Sequence, residues 1–240
     1  MSKTLICVNV LDNVNAQVYG SHCNEWFRLG RNTHDEFILF HPNRLSIDNA
    51  RNQAADLALR LECDYLFFLD DDMILSPNTY QSLKRCDADI AQALTFIRGY
   101  PFHCMAFKKG TEPGILEYYD DYHQWIRPNG IFGAEAVGFA CVLIKCETLK
   151  KINKPYFITS TQSTEDVYFC IKLRNKLRDE VEIVVDTNVP TGHLLHPEIV
   201  SQSNVKELRE KIKKMMPDEE SDKKDRGARY LKECKHQFHE

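Results

Sequence analysis

The chain has 240 residues, of which 43% are hydrophobic and 28% are charged, and its formal net charge is −4 at pH 7. This length and composition suffice for one globular unit with a substantial core. The negative charge excludes a general attraction to nucleic acid, although a local basic groove stays possible. No apolar run approaches the ~20 residues of a transmembrane helix, and the start of the chain lacks the apolar region of a signal peptide, so we expect a soluble intracellular protein.

The first half of the chain alternates strands and a helix. Residues 4–10 (TLICVNV) and 36–40 (EFILF) are short apolar runs that predict strands. Residues 46–61 space their apolar side chains by three and four, which predicts a helix with Ser46 as its N-cap. Residues 65–69 (YLFFL) predict a strand that is apolar on both faces, as in a sheet covered by helices on both sides.

The second half is less regular and richer in aromatic residues and glycines. Its predicted elements are a strand at 139–145, a helix at 146–152, a helix that begins near residue 164, a strand at 181–186, a loop at 189–197 and charged peripheral helices after residue 201. Nine cysteines lie mostly in apolar segments without a C-x-x-C pair. We therefore expect reduced cysteines that pack as small hydrophobic side chains.

Three aspartates, Asp70 to Asp72, follow directly on the strand at 65–69. In an α/β sheet the ligand crevice lies beyond the carboxyl ends of the parallel strands. Alternation along the chain makes Asp70 and Asp72 point one way and Asp71 the other. Carboxylates so placed favour Mg²⁺ or Mn²⁺, which in turn bind phosphate oxygens. The alternative is a simple turn, in which Asp71 caps the next helix.

Four segments in order resemble the GT-A glycosyltransferases. They are residues 44–83 with their D-x-D motif, 133–152 (GAEAVGFACVLIKCETLKKI), 164–170 (TEDVYFC) and 191–197 (TGHLLHP). The resemblance implies a Rossmann-like α/β fold with a mixed, mostly parallel sheet flanked by helices. It implies one catalytic domain at 1–200, with a nucleotide-binding half at 1–95 and an acceptor half at 96–200. A charged helical extension would occupy 201–240.

The same resemblance implies a metal site that holds Mn²⁺ or Mg²⁺. Asp72 and His193 would be its ligands, and His196 is the alternative histidine. Asp70 would bind the ribose or the donor sugar, with Asp71 in support.

Further residues would bind the donor, which the resemblance implies is a UDP- or GDP-sugar. Arg51 and Asp48 would lie near the nucleotide and its phosphates, and Val8 and Asn9 at the end of the first strand would complete this donor site. The alternative for Arg51 and Asp48, which are three residues apart on a helix, is an exposed ion pair.

The acid pair Glu165–Asp166 resembles the E-D motif of the family. Asp166 would be the general base that deprotonates an acceptor hydroxyl, with Glu165 in support, and a separate base implies inversion at the anomeric carbon. The alternative is a helix N-terminus in which Ser163 and Asp166 have capping-box spacing.

We therefore expect a metal-dependent glycosyltransferase of the cytoplasm, or of the host cytoplasm if it resembles the compact enzymes that glycosylate modified phage DNA. The acceptor is left open among a glycan, a protein, a small molecule and a hydroxylated base in nucleic acid. Three alternatives are weighed: a non-catalytic nucleotide-sugar-binding module, a metal-dependent phosphatase and a nucleotidyltransferase. Ile74 stands where the D-x-D-x-T/V motif of such phosphatases has Thr or Val, and the residues after the first strand lack the glycine-rich loop of nucleotidyltransferases.

Overall fold

A computed structural model describes residues 1–10, 13–42, 44–112, 114–195 and 198–215. Within these ranges the α-helices are α1 (Ala16–Asn32), α2 (Ile47–Arg60), α3 (Thr79–Arg85), α4 (Cys146–Lys150), α5 (Glu165–Leu177) and α6 (Val205–Met215). The strands are β1 (Lys3–Asn9), β2 (Glu36–Phe40), β3 (Tyr65–Asp70), β4 (Met73–Ile74), β5 (Ile90–Ala93), β6 (Ala106–Lys109), β7 (Leu116–Tyr118), β8 (Ile131–Gly133), β9 (Ala136–Val137), β10 (Cys141–Lys145), β11 (Ile183–Asp186), β12 (Gly192–Leu195) and β13 (Glu198–Val200). None of these helices is both long and apolar enough to cross a membrane.

A seven-stranded sheet with the order β2-β1-β3-β10-β5-β11-β8 forms the centre of the domain. Five of these strands run in one direction, whereas β10 and β8 run opposite to their neighbours. Two small antiparallel sheets, β13-β12-β4 and β7-β6-β9, lie beside it. This architecture confirms the predicted fold class, a single Rossmann-like α/β domain with a mixed, mostly parallel sheet flanked by helices. The limits proposed for its two halves and its extension stay predictions.

The two faces of strand β3 contact two different hydrophobic clusters. Leu66 and Phe68 pack into the cluster that contains α2 and α5, whereas Phe67 and Leu69 pack into the cluster that contains α1 and α3. Because successive side chains of a strand point to opposite faces, this apolar run requires cover on both sides. Because this alternation continues at the end of the strand, the Asp70 side chain points to the same face as Leu66 and Phe68, where α2 and α5 pack.

Helix α1 is an element that the sequence analysis did not predict. Its buried face includes His22 and Glu25 beside Val18 and Leu29, so polar residues interrupt the apolar period. Glu25 is nonetheless satisfied, because its carboxylate accepts the backbone N–H groups of Asn78 and Tyr80 at 3.0 Å each, at the start of α3. A buried polar group with partners of this kind is compatible with a helix face that packs on the core.

The segment 189–197, which the sequence predicts as a loop, contains strand β12, so that prediction is wrong. β12 pairs with β4, with His193 opposite Met73, and with β13. The pairing with β4 joins distant parts of the chain, and strands this short leave little periodicity in the sequence. The eight cysteines of the described residues are free thiols, six of them buried, as predicted.

Helix α6 represents the described part of the predicted C-terminal extension, and residues 216–240 lie outside the described residues. Val205 and Leu208 of α6 are buried in the main core. Arg209 donates hydrogen bonds to the carbonyl oxygens of Pro101 and Phe102, the latter at 2.6 Å. This helix therefore fastens the loop that follows β5.

Candidate donor and cation site

A cavity of about 390 Å³ opens at the carboxyl ends of β1 and β3. It is lined by Asn9 and Val10, by the loop and first turn that begin α2, by Asp70 to Asp72, and by Arg98. Asn9 lies opposite Asp70 in the register of the two parallel strands, and its side-chain N–H donates to Asp70 Oδ1 at 3.2 Å. The position is the one expected for the ligand crevice of an α/β sheet.

Arg51 of α2 is buried and connects three parts of the site. Its Nη2 lies 3.3 Å from Asp70 Oδ1, and its Nε lies 2.9 Å from Glu165 Oε1. Its Nη1 donates a hydrogen bond of 2.9 Å to the carbonyl oxygen of Phe139. The Nε contact lacks hydrogen-bond alignment, so it is an ion pair without a hydrogen bond. With a side chain only 2% exposed and bound to Asp70 and Glu165, Arg51 does not form the exposed pair with Asp48 that was the alternative interpretation.

Asp48 lies in the first turn of α2 and is partly exposed. Its Oδ1 accepts hydrogen bonds from the Ser46 hydroxyl at 2.6 Å and from the Asn49 N–H at 2.8 Å. The Ser46 hydrogen bond is the main reason why the pKa of Asp48 is lowered. Ser46 occupies the predicted N-cap position but forms no side-chain capping bond. Its neighbours Ser46 and Ile47 line the cavity, and the predicted role of Asp48 in donor binding stays a prediction.

Val8 is buried, with its side chain in the cluster that contains α1 and α3. Its carbonyl oxygen lies 3.4 Å from His41 Nδ1. Its predicted role in donor binding is untested and stays a prediction.

Asp166 and Glu165 begin α5, and both are buried. Asp166 Oδ2 accepts the Phe139 N–H at 3.3 Å, and Oδ1 accepts the Val167 N–H at 2.7 Å. The N-cap is Thr164, which forms no side-chain capping bond, so the capping box between Ser163 and Asp166 is wrong. Asp166 thus has a local partner in Val167 and a distant one in Phe139, and spacing within the helix could not reveal the distant one.

Asp72 and His193 meet at the edge of the cavity. Their elements are joined by the β4–β12 pairing, and the Leu194 N–H donates to the Asp72 carbonyl oxygen at 2.9 Å. His193 Nε2 lies 3.3 Å from Asp72 Oδ1. Asp71 also lines the cavity. It does not cap the next helix, because α3 has Asn78 as its N-cap.

The Asp72–His193 pair fits a divalent cation. His193 Nδ1 lies 2.7 Å from the Phe96 carbonyl oxygen, which can only accept, so Nδ1 carries a proton. In the neutral ring Nε2 then directs a lone pair at Asp72 Oδ1, a buried oxygen that accepts no hydrogen bond from the described residues while that ring is neutral. Two acceptors this close require a positive charge between them, either a proton or a cation. In a metal-binding histidine, the ring nitrogen that does not bind the metal commonly donates its N–H to a backbone carbonyl oxygen, as Nδ1 does here.

Two side chains form only part of a metal shell. Within the described ranges no group of three or more His, Cys, Asp or Glu side chains is arranged to hold an ion. Mg²⁺ commonly binds one or two carboxylates and takes its other ligands from water and substrate phosphates. The alternative ligand His196 lies outside the described residues.

Arg98 is the site residue that the sequence analysis missed. Its Nη1 lies 2.9 Å from Asp72 Oδ2. Burial alone would raise the pKa of Asp72, but contact with a protonated His193 ring and the charge of Arg98 hold it below its ordinary value. A lone arginine beyond strand β5, whose end lies at the same edge of the sheet, was the available signal.

Comparisons with known proteins indicate a fold rather than a family. No protein-family model and no curated protein matches the chain. The solved structure of A197 from STIV is 19% identical, with a TM-score of 0.54 over 80% of this chain and 85% of that one, which indicates a shared fold. GalNAc-T7 with UDP, GalNAc and Mn²⁺ is 12% identical, with a TM-score of 0.49 over 80% of this chain and 44% of that one. The inositol-1-phosphate CTP transferase from T. maritima is 11% identical, with a TM-score of 0.45 over 90% and 98%. These last two scores are too low to support an inference about this chain.

We predict that Arg51→Met destabilises the protein strongly. The change leaves the buried Glu165 and half-buried Asp70 carboxylates without their cation, a loss that costs about 3 kcal/mol. Urea unfolding followed by circular dichroism measures this cost. The control is Arg60→Met in the last turn of the same helix, where the side chain is exposed and we expect a change within about 0.5 kcal/mol. Equal effects of the two changes would contradict the structural role of Arg51.

A second prediction concerns the pH dependence of stability. Burial, and then the neighbouring Asp166, raise the pKa of Glu165 from 4.5 to about 7. Between pH 4.5 and about pH 7, Glu165 keeps its proton in the folded state but loses it in the unfolded state. The stabilisation that this proton binding provides is complete below about pH 4.5 and is lost as the pH rises through 7. We expect the wild type to lose stability relative to Glu165→Gln across this range. Urea unfolding at several pH values tests it, and parallel pH profiles for the two proteins would contradict it.

Proposed function

We propose that this protein transfers a sugar from a nucleotide-sugar to an acceptor hydroxyl, with the help of a divalent cation. The observation that carries the proposal is the cavity at the end of β3, where the buried Oδ1 of Asp72 faces His193 Nε2 at 3.3 Å. A carboxylate and an imidazole at the edge of a polar cavity suit a cation that is completed by phosphate oxygens. The four segments in order that resemble the GT-A glycosyltransferases agree with this proposal.

The donor would occupy the cavity between β1, β3 and the first turn of α2. Within the described residues the hydrogen bonds and the ion pair of Asp70 fall on Oδ1, which leaves Oδ2 to accept a hydrogen bond from a ribose or sugar hydroxyl. Asn9 and Arg51 hold this carboxylate in a fixed orientation, and fixed groups lose less entropy when a ligand binds. Mn²⁺ or Mg²⁺ held by Asp72 and His193 would neutralise charge on the departing nucleoside diphosphate.

Asp166 is the proposed general base. Two backbone N–H groups orient its carboxylate, and its place in the first turn of α5 is rigid. The acceptor oxygen would form a bond to the anomeric carbon as the bond to the diphosphate breaks, and its proton would pass to Asp166. Glu165 is less suited to this role, because it lies against Arg51. A base separate from the leaving group gives inversion.

The test is an incubation with a panel of UDP- and GDP-sugars in the presence of Mn²⁺, with released nucleotide as the readout. Release of UDP or GDP that increases with an added acceptor supports a glycosyltransferase. Tight nucleotide binding without release indicates a binding module instead. A parallel incubation with nucleoside triphosphates and sugar 1-phosphates tests the alternatives, because a nucleotidyltransferase would release pyrophosphate from the triphosphate and a phosphatase would release inorganic phosphate from the sugar phosphate. Either result, without release of UDP or GDP from the sugar nucleotides, would contradict the proposal.

The cation role predicts that Asp72→Asn abolishes Mn²⁺-dependent turnover, because the neutral amide is a poor ligand for a hard cation. Nucleotide release is the measurement, with Mn²⁺ and with EDTA. The matched control is Asp87→Asn, whose side chain is 84% exposed and pairs with Lys145 outside the cavity; we expect it to retain activity. Full turnover by Asp72→Asn in EDTA would contradict the metal site.

The base role predicts that Asp166→Asn lowers the transfer rate by roughly 10²- to 10⁴-fold while donor binding persists. The amide is nearly the same size, but it cannot take the acceptor proton. Transfer rate, donor titration and thermal melting are compared on this one variant. Wild-type transfer by a normally folded Asp166→Asn protein would remove Asp166 as the base and with it the reason to expect inversion.

A further inference from the structure

Arg98 places a cation on the same carboxylate that a divalent ion needs. Its guanidinium contacts Asp72 Oδ2 at 2.9 Å, while His193 faces the other oxygen of that carboxylate at 3.3 Å. Arg98 lines the cavity, and its side chain is 57% exposed. A guanidinium and a divalent ion repel each other, so both cannot bind Asp72 closely without a further anion.

Hydrogen bonds of the backbone fix the chain before and after Arg98. The Ile97 N–H donates to the His103 carbonyl oxygen at 3.0 Å, and the Phe102 N–H donates to the Gly99 carbonyl oxygen at 2.7 Å. Arg209 of α6 binds the end of the same loop through the Pro101 and Phe102 carbonyl oxygens. The exposed side chain can therefore change its partner by rotation about its own bonds while its Cα stays in place.

We propose that Arg98 binds the diphosphate of the nucleotide and thereby couples nucleotide binding to cation binding. The proposal rests on the proposed function of the cavity. A diphosphate supplies two adjacent anionic oxygens, which match the fork of a guanidinium better than one oxygen of Asp72 does. When the diphosphate draws Arg98 away, Asp72 becomes available to the divalent ion. Each ligand then raises the affinity for the other by the same factor.

The substitution Arg98→Gln separates this role from direct contact between the cation and the phosphates. Without nucleotide, the variant should bind Mn²⁺ more tightly by roughly 2- to 5-fold, since a half-exposed competitor is removed. Its affinity for UDP or GDP should fall by roughly 10-fold, because a charge-assisted contact to phosphate is lost. The factor by which nucleotide tightens Mn²⁺ binding should therefore decrease.

The experiment titrates Mn²⁺ alone, UDP and GDP alone, and each nucleotide with Mn²⁺ present, by calorimetry on wild type and Arg98→Gln. The control is Arg60→Gln, an exposed arginine in the last turn of α2, which should match wild type in every titration. Thermal melts check that each variant is folded.

Different results overturn the two proposals. Wild-type Mn²⁺ and nucleotide affinities in a folded Arg98→Gln protein would overturn the role of Arg98 and leave the proposed function standing. Weaker Mn²⁺ binding by the variant would also overturn it, because a competitor cannot strengthen cation binding. Failure of the wild type to bind either nucleotide with Mn²⁺ present would overturn both.

Discussion

The site depends on one buried cation. Arg51 lies in α2 with a side chain that is only 2% exposed, and it joins Asp70 at the end of β3 to Glu165 at the start of α5 and to the Phe139 carbonyl oxygen. Three segments distant in sequence are thus held around one guanidinium. A buried charge is tolerated only when it is paired, so each of these contacts is needed by the others. Because its planar fork can bind several acceptors at once, arginine suits this position better than lysine.

The balance of charge around Arg51 explains how so many carboxylates share one region. Arg51 offsets Glu165 in the interior and Asp70 at the cavity wall, and Arg98 offsets Asp72 at the cavity edge. The Arg51–Glu165 ion pair is enclosed, whereas Arg98 is largely exposed and its contact with Asp72 faces the cavity. The structure therefore combines a buried Arg51–Glu165 ion pair with an exposed arginine at the cavity edge.

Parts of the site could be predicted because they follow from local pattern. A strand that is apolar on both faces and ends in acids places Asp70 and Asp72 at a ligand crevice, and the position of Asn9 follows from the parallel neighbour. The partners of these residues could not be predicted. The capping box at Ser163 was inferred from spacing alone, while the acid that it involved binds a backbone N–H of Phe139. Arg98 was missed because a single arginine in a loop carries no periodic signal.

The sequence by itself determined the α/β class, the buried strands and the end of β3 as the place for chemistry, because hydrophobic periodicity and burial are local properties. Tertiary structure alone decided which charges meet. The partner of Arg51 is set by the approach of α5, and the approach of His193 to Asp72 is set by the pairing of β12 with β4. Helix α1 is a further example, because its buried face includes the polar residues His22 and Glu25. Their hydrogen-bond partners come from distant segments: Met73 for His22, and Asn78 and Tyr80 for Glu25. The energy of a buried polar group depends on what surrounds it, and no local pattern of residues contains that information.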